Sequence, residues 1–330
     1  MNDPAPISHD VAFTPDKALR PTRLNEFRGQ PHLSDQLDIF ITAARLRGEM
    51  IDHCLLYGPP GLGKTTLAGI IAQEMGHTFL TSSGPLLQKP ADVVSLLIQP
   101  EAPTVIFIDE IHRMPTQVEE LLYSAMEDQH IDIITDDRRS IRLTLEPFTL
   151  IGATTRQGSL SAPLRDRFGI HLKLNLYGLD ELGEVVLSAA QQLGLPLNSS
   201  QALIIARRSR GTPRIALKNL RRIRDYSQAR SGGAVMDDEA ICTALDFMGL
   251  DENGLNQQDR DYLNALINVF CGRPVGLNSL AAALGEDIGT LEDSIEPYLI
   301  QEGFVARTSK GRVAMPKAFK THRSNLQLIP

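Results

Sequence analysis

The stretch that most constrains this chain is Cys54-Leu-Leu-Tyr-Gly-Pro-Pro-Gly-Leu-Gly-Lys-Thr-Thr-Leu-Ala68. Its apolar opening reads as a short buried strand, and Gly58-Pro-Pro-Gly61-Leu-Gly63 then interrupts regular structure. From Lys64 onward, Leu67, Ala68, Ile70, Ile71 and Ala72 return to a helical apolar pattern. Strand, glycine loop and helix form the context in which G-x-x-x-x-G-K-[ST] holds phosphate. The glycines let backbone N–H groups converge on phosphate oxygens, and the positive end of the following helix adds to the attraction. Lys64 is then placed for the β/γ-phosphates and the Thr65 hydroxyl for Mg²⁺. The bland alternative, a glycine-rich turn carrying a surface lysine, leaves the flanking strand and helix unexplained. A nucleotide phosphate site is predicted at Gly61, Gly63, Lys64 and Thr65.

Thr104-Val-Ile-Phe-Ile-Asp109-Glu110 supplies the second half of that prediction. Four apolar residues ending in two acids read as a buried strand that delivers both carboxylates at its C-terminal end, where open α/β sheets bind ligands. Asp109 suits Mg²⁺, and Glu110 suits the general base that polarises an attacking water. Phe148-Thr-Leu-Ile-Gly-Ala-Thr154-Thr155 is a further buried strand ending in hydroxyls. Between them, Pro115–Met126 is an amphipathic helix presenting Val118, Leu121, Leu122 and Met126, and 131–145 alternates as two strands about a polar turn at 135–140. That hairpin is either an edge decoration or, through outward isoleucines, a docking element.

After Tyr177-Gly178 strands give way to helical patterns at 180–193, 199–209, 213–230 and 237–246, with Ser199 and Asp237 as N-caps and Pro213 in a first turn. Asp251-Glu-Asn-Gly254 is a polar linker. Beyond it, helices at 259–270, 277–283 and 288–300 precede two short strands around a basic turn, the order of a winged helix. Residues 301–323 carry Arg307, Lys310, Arg312, Lys317, Lys320 and Arg323 against Glu302 alone, a local charge of about +5 in a chain whose total is −7. The overall charge excludes a uniformly basic nucleic-acid binder, whereas a basic wing favours phosphate-backbone contact over a merely solvated run.

With 330 residues, 42% hydrophobic and 22% charged, the chain has length for two or three cores. No apolar run approaches the roughly 18 residues of a membrane span, so no membrane partner is expected. Cys54, Cys242 and Cys271 offer neither metal-ligand spacing nor a disulfide framework; each is read as a small buried apolar residue of a reducing cytoplasm. The mixed polar stretch 1–18 reads as a flexible tail. The predicted organisation is therefore α/β: the tail, a P-loop domain with a parallel sheet at 19–178, an all-helical domain at 179–252 and a winged-helix domain at 253–330.

Gly58-Pro-Pro-Gly-Leu-Gly-Lys-Thr65, Phe107-Ile-Asp-Glu-Ile-His112, Gly152-Ala-Thr-Thr-Arg156, Pro163-Leu-Arg-Asp-Arg-Phe168 and Gly211-Thr-Pro-Arg214, in this order, resemble the AAA+ ATPases and, within them, the RuvB family of Holliday-junction branch-migration motors. The resemblance spans about Leu19 to Phe319. It implies ATP and Mg²⁺ as cofactors, a lid-type helical domain, and a homohexameric ring working on the duplex arms of Holliday junctions. It also implies a RuvA-like junction-binding partner at the hairpin, through Ile133, Ile134, Ile141 and Leu143, and a RuvC-like resolvase in the same process. It assigns Thr154 to sensor 1, Arg167 to an arginine finger and Arg214 to sensor 2, and puts Leu19, Arg20, Thr66 and Tyr177 around the nucleotide. Glu127, Asp128 and Gln129 fall where the family approaches the neighbouring subunit's nucleotide, and Arg307, Lys310 and Arg312 where it touches DNA. Three positions depart from the pattern: the hairpin turn Asp136-Asp-Arg-Arg139 is short and lacks glycine, Gln129 replaces a common aromatic, and Lys310 a common arginine. Two other readings share much of this sequence: a non-translocating AAA+ switch such as a clamp loader or initiator, and a winged-helix regulator gated by ATP.

Overall fold

A computed structural model describes residues 19–134, 140–232 and 236–326. The expected tail (1–18), the hairpin turn Asp136–Arg139 and the outward faces expected of Ile133 and Ile134 lie outside what is described. The chain divides into two compact units at Asn175–Leu176.

In the first unit, helix α1 (Pro31–Arg47) leads into the sheet strands β1 (Cys54–Tyr57), β2 (Thr78–Ser83), β3 (Thr104–Asp109), β6 (Phe148–Thr154) and β7 (Ile170–Lys173). They lie in the order β2-β3-β6-β1-β7, and every neighbour is parallel. Parallel strands need crossovers, here α2 (Lys64–Met75) after β1, α3 (Pro90–Leu97) after β2 and α4 (Thr116–Asp128) after β3; a short helix α5 (Ala162–Asp166) precedes β7. Because helices pack against a parallel sheet, its central strands are apolar on both sides. All seven residues of β6 are buried, as are the first five of β3. Parallel order carries the C-terminal ends of β1, β3 and β6 to one edge, with Tyr57 opposite Thr154 in register.

Two left-handed positions shape that edge. Gly58 leaves β1 at φ +143°, and a Cβ there would stand 2.2 Å from the Leu174 carbonyl oxygen. Gln30 (φ 56°) turns into α1, and its buried amide donates to the Asn175 carbonyl at 2.5 Å and accepts from the Asn175 N–H at 3.1 Å. This fastens the segment after β7 beside the chain's entry. Strands β4 (His130–Ile134) and β5 (Ser140–Thr144) form the expected antiparallel hairpin. Ile141 is 47% exposed, whereas Ile131 is buried and Leu143 packs against the core around Val118, Leu122 and Phe148. Only part of the hairpin's apolar side therefore faces outward among the described residues.

In the second unit, α6 (Leu179–Gln192), α7 (Ser199–Arg207), α8 (Pro213–Ser231) and α9 (Asp238–Phe247) form the helical domain. Asn198, not Ser199, caps α7, its side chain accepting the Gln201 N–H at 2.9 Å, while Asp237 caps α9 as expected. Next come α10 (Gln257–Asn264), extended by a wider turn through Val269, α11 (Leu277–Leu284), α12 (288–301, with a wide turn at Leu291–Ile295), the ribbon β8 (Val305–Thr308) and β9 (Gly311–Ala314), and α13 (Pro316–Leu326). A bridge from Val275 to Arg312 adds a third backbone segment to the ribbon. Helix α13 is absent from the sequence expectation, and it removes Lys317 and Lys320 from the wing. Lys317 lies over the Phe304 ring at 4.3 Å and pairs with Glu302 at 2.8 Å. The reading of all three cysteines as buried holds for Cys54 alone: Cys242 is partly exposed, and Cys271 is exposed at φ 54°.

Gly58→Ala is expected to destabilise the first unit by about 2 kcal/mol or more, because it adds a clash to a left-handed backbone. Gly48→Ala, at φ +68° with open space around it, is expected to cost about 1 kcal/mol. The midpoints of urea unfolding compare the two.

Candidate nucleotide site and nucleic-acid interface

The phosphate loop closes onto its own sheet edge. The Gly58 N–H donates to the Thr154 carbonyl (3.2 Å), which sets the start of the loop beside the end of β6. Gly61 and Gly63 take φ +82° and +97°, so the loop turns its backbone into the first turn of α2, and the Phe27 ring packs beside Gly63. Lys64 is buried, and its Nζ donates to the carbonyls of Gly58 (2.8 Å) and Pro59 (2.9 Å). Those oxygens occupy the ammonium as phosphate oxygens would, so the side chain is already folded over the loop. Thr65 and Thr66 follow in the same helical turn, partly exposed. Leu19 is buried and Arg20 exposed at the start of this unit.

At the end of β3, Asp109 Oδ1 accepts the Glu110 N–H at 3.0 Å. Glu110 itself adopts a left-handed conformation, φ 47°, an uncommon one for a residue with a side chain. A Cβ on Gly84 would stand 2.3 Å from the Glu110 carbonyl oxygen, so the backbone of β2's exit and that of Glu110 touch. The Glu110 carboxylate has two polar neighbours: the Thr155 hydroxyl donates to it at 3.3 Å, and His112 Nδ1 lies 3.2 Å away. His112 Nδ1 is also 2.8 Å from the hydroxyl of Thr154, which is fully buried and accepts the Arg156 N–H at 2.9 Å. Thr155 is thus a hydroxyl at the carboxylate, and Thr154 is linked to it through His112. Thr155 and His112 both fall within the sequence motifs, but neither is given a role there, because each lies one or two positions beside a stronger motif residue.

Arg167, just past α5, pairs through Nη2 with Glu127 Oε2 at 2.5 Å, and both side chains remain about half exposed. Two of the four residues implied to face a neighbouring nucleotide, Arg167 and Glu127, are therefore adjacent on one surface. Asp128 is exposed, and Gln129 ends α4 at φ 52°, its carbonyl accepting the Leu145 N–H. In the second unit Tyr177 is buried, with its N–H on the Gly211 carbonyl (2.9 Å), and Arg214 stands exposed in the first turn of α8. Burial pushes the Tyr177 phenol well above its ordinary pKa, so it stays neutral.

The wing is built around a buried acid. Glu296, on α12, has no exposed surface; Arg307 reaches its Oε2 through Nε (2.9 Å) and Nη2 (2.5 Å). Arg312 Nε meets Oε1 at 2.9 Å, the Tyr262 hydroxyl donates to Oε1 at 2.7 Å, and Arg312 Nη2 reaches Glu292 at 3.1 Å. Arg312 is only 16% exposed and is shared by two carboxylates, whereas Arg307 is 48% exposed and Lys310 sits exposed at the turn. The outward cations of the ribbon are Arg307 and Lys310.

Three family models match consecutive parts of the chain: the Holliday junction DNA helicase RuvB P-loop domain at 19–174, the RuvB AAA lid domain at 177–251 and the RuvB C-terminal winged helix domain at 252–322. The chain belongs to the RuvB family. Among solved structures it is similar to the Thermotoga maritima RuvB Holliday junction branch migration motor, with 45% identity and a TM-score of 0.84, over 93% of this chain and 98% of that one. A mutant of Thermotoga maritima RuvB matches with 45% identity and a TM-score of 0.85, over 92% and 98%. As in this family, the P-loop domain binds nucleotide. No helix among the described residues is long and apolar enough to cross a membrane.

Burial alone would raise the Glu296 carboxyl, but bonds from Arg312, Tyr262 and Arg307 outweigh it and hold the group below the usual 4.5. A depressed carboxyl contributes stability above its unfolded pKa and loses it as pH falls through the folded value. Below about pH 4.5 the winged helix of this RuvB-family chain is therefore expected to lose stability. Glu296→Gln should lower the melting temperature at pH 7 and flatten that acid limb; calorimetry from pH 3 to 7 reads both.

Proposed function

We propose that this chain is an ATP-driven translocase that promotes branch migration of Holliday junctions in recombination and DNA repair, working with a RuvA-like junction-binding partner. One observation carries the reading: a phosphate loop, an acid pair and a threonine gathered at one sheet edge are joined, in one chain, to a winged helix with an outward cationic ribbon. That combination extends over nearly the full length of the Thermotoga maritima motor. The outward Arg307 and Lys310 of the ribbon speak against a clamp loader, and phosphate contact by those two groups predicts salt-dependent binding with little sequence preference, unlike a regulator.

In this reading the domains run 19–178, 179–252 and 253–330, close to the spans of the three family models. Gly61, Gly63, Lys64, Thr65 and Thr66 cradle the ATP phosphates, with Leu19, Arg20 and Tyr177 toward the adenine. The Thr65 hydroxyl and the Asp109 carboxylate are hard oxygen donors, and no cluster of three or more metal-binding side chains occurs among the described residues. Such a sparse set fits a Mg²⁺ that takes its remaining ligands from phosphate and water. When bound, the ion would neutralise charge on the phosphates. Glu110 accepts the proton of the attacking water, and Thr155, with Thr154 and His112 behind it, fixes the carboxylate's direction. Arg167 from a neighbouring copy in a hexameric ring stabilises charge on the γ-phosphate, with Glu127, Asp128 and Gln129 on the same face, and Arg214 reports the γ-phosphate to the lid. Arg307 and Lys310 grip DNA phosphates, and Arg312 braces the wing beneath them. The hairpin docks the RuvA-like partner through Ile133, Ile134 and Ile141, with the half-buried Leu143 holding the strand to the core; a RuvC-like resolvase acts on the same junctions. These roles belong in the cytoplasm, where chromosomal DNA is exchanged.

On a synthetic four-way junction, with and without a RuvA partner, ATP-dependent conversion to duplex products is expected; hydrolysis without conversion under both conditions would sink the proposal. Arg167→Ala is expected to retain ATP binding and lose about 10³-fold or more in hydrolysis. Mixing it with Lys64→Ala subunits should recover part of the rate if the finger acts in trans. Thr155→Val should lower kcat about tenfold or more with KM little changed, since it touches the base and not the phosphates.

A further inference from the structure

Arg210 is used by none of these roles, yet it is one of the most enclosed arginines of the second unit, with its side chain 10% exposed. It lies between the Ser209 turn that ends α7 and the Gly211-Thr-Pro-Arg214 motif, four residues from the lid arginine, in a left-handed conformation at φ 54°. Its Nη2 pairs with Asp259 of α10, which is wholly buried, and its Nε donates to the Gly254 carbonyl at 2.9 Å. Its guanidinium lies over the Tyr298 ring of α12, 5.2 Å from the centroid. One side chain therefore joins the turn leading to the lid arginine with the linker and two helices of the winged helix.

The surroundings make this joint stiff. Asp259 Oδ2 also accepts the Asn256 N–H, so the acid that holds Arg210 also closes the start of α10. The Tyr298 hydroxyl donates to the Asn253 carbonyl at 2.6 Å. The polar stretch Asp251–Gly254 is not a loose connection: Asp251 Oδ1 accepts the N–H groups of Asn253 and Leu255. A Cβ on Gly254 would stand 2.9 Å from the Arg208 carbonyl oxygen, so the linker backbone lies directly on the lid. Arg208 adds a pair with Asp246 and a bond to the Leu250 carbonyl. On the lid side, Asn219 of α8 donates to the Arg208 carbonyl and to the Ser209 hydroxyl. Removing either partner of so enclosed a pair would leave an uncompensated buried charge, so the joint depends on both being in place.

We propose that Arg210 is a positioning residue that locks the lid to the winged helix, so that the two move as one lever and the nucleotide-dependent motion of α8 reaches the DNA-binding ribbon undiminished. The inference rests on the motor reading above. It moves the flexing point away from Asp251–Gly254, where sequence places a linker.

Two measurements on the full-length protein test it. The exposed Cys271 and partly exposed Cys242 lie in the winged helix and in the lid, while Cys54 is buried, so spin labels on Cys242 and Cys271 span the joint. Pulsed-dipolar spectroscopy should give one narrow distance, the same with and without a non-hydrolysable ATP analogue; a distance that shifts or splits on adding the analogue overturns the inference. Arg210→Ala should broaden that distribution, and Arg210→Lys should restore part of its sharpness. On a four-way junction with a RuvA partner, Arg210→Ala should keep kcat and KM for ATP and duplex affinity within about twofold, while ATP consumed per junction converted rises about tenfold. If hydrolysis, DNA binding and conversion instead fall in parallel, with the ratio unchanged, the residue is merely structural. Should Arg210→Ala not fold, Asp259→Asn and Tyr298→Phe repeat the ratio with gentler changes. Failure of the unaltered protein to convert junctions would count against the motor reading alone, and the label distance would still decide whether lid and winged helix are locked.

Discussion

The burial of β3, β6 and β1, the three central strands of the parallel sheet, is the constraint on which the first unit depends. A strand covered on both faces must be apolar throughout, and parallel pairing sends every strand end the same way. Polar chemistry is thereby expelled from the strands and collected at one edge. Gly58, Asp109 and Thr155 are each the first residues past that apolar interior or the last within it. The backbone bond from Gly58 to the Thr154 carbonyl then makes the loop and the threonine pair parts of one site. The close approach of Gly58 to Leu174 and of Gly84 to Glu110 leaves no room for side chains, which gives two glycines their necessity in physical terms.

The second unit is organised differently, around two buried carboxylates. Enclosing an acid costs several kcal/mol unless it is paired and hydrogen-bonded, so each has gathered arginine. Glu296 draws Arg307 and Arg312 to the wing; Asp259 draws Arg210 to the lid boundary. At Glu296 the arginines outweigh burial and the carboxyl stays acidic. At Asp259 burial dominates and pushes the carboxyl up, despite Arg210 and the Asn256 N–H, and Oδ1 has no hydrogen-bond partner. The contrast separates a carboxylate that arranges surface cations from one that spans two domains. Only the first draws its arginines from a segment whose charge marks it in sequence.

Much of the fold is legible in sequence because it follows from local pattern. Apolar runs gave β1, β3 and β6, the 3.6-residue period gave α4 and the lid helices, and the glycine loop gave the strand-to-helix turn. The errors have equally local causes. Asn198 displaces Ser199 as a cap because its side chain reaches the Gln201 N–H, a one-residue difference that composition does not resolve. Helix α13 is hidden because its cations resemble a continuation of the wing, and its helical period is partly masked by their spacing. In the site, the motifs that hold Thr155 and His112 assign neither a role, because adjacent residues in a chain look equivalent until side-chain direction is known.

By itself, the sequence determined the chemistry: a phosphate loop, an acid pair, an outward-charged ribbon and the order of the elements that carry them. Those depend on residue type at short spacing, which the chain states directly. Tertiary structure alone decided which threonine meets Glu110, which wing arginine faces outward, and that Arg210 ties the lid turn to helices some 50 to 90 residues further on. Each of these is a contact between side chains remote in sequence or opposite in direction, and a linear pattern carries no record of either.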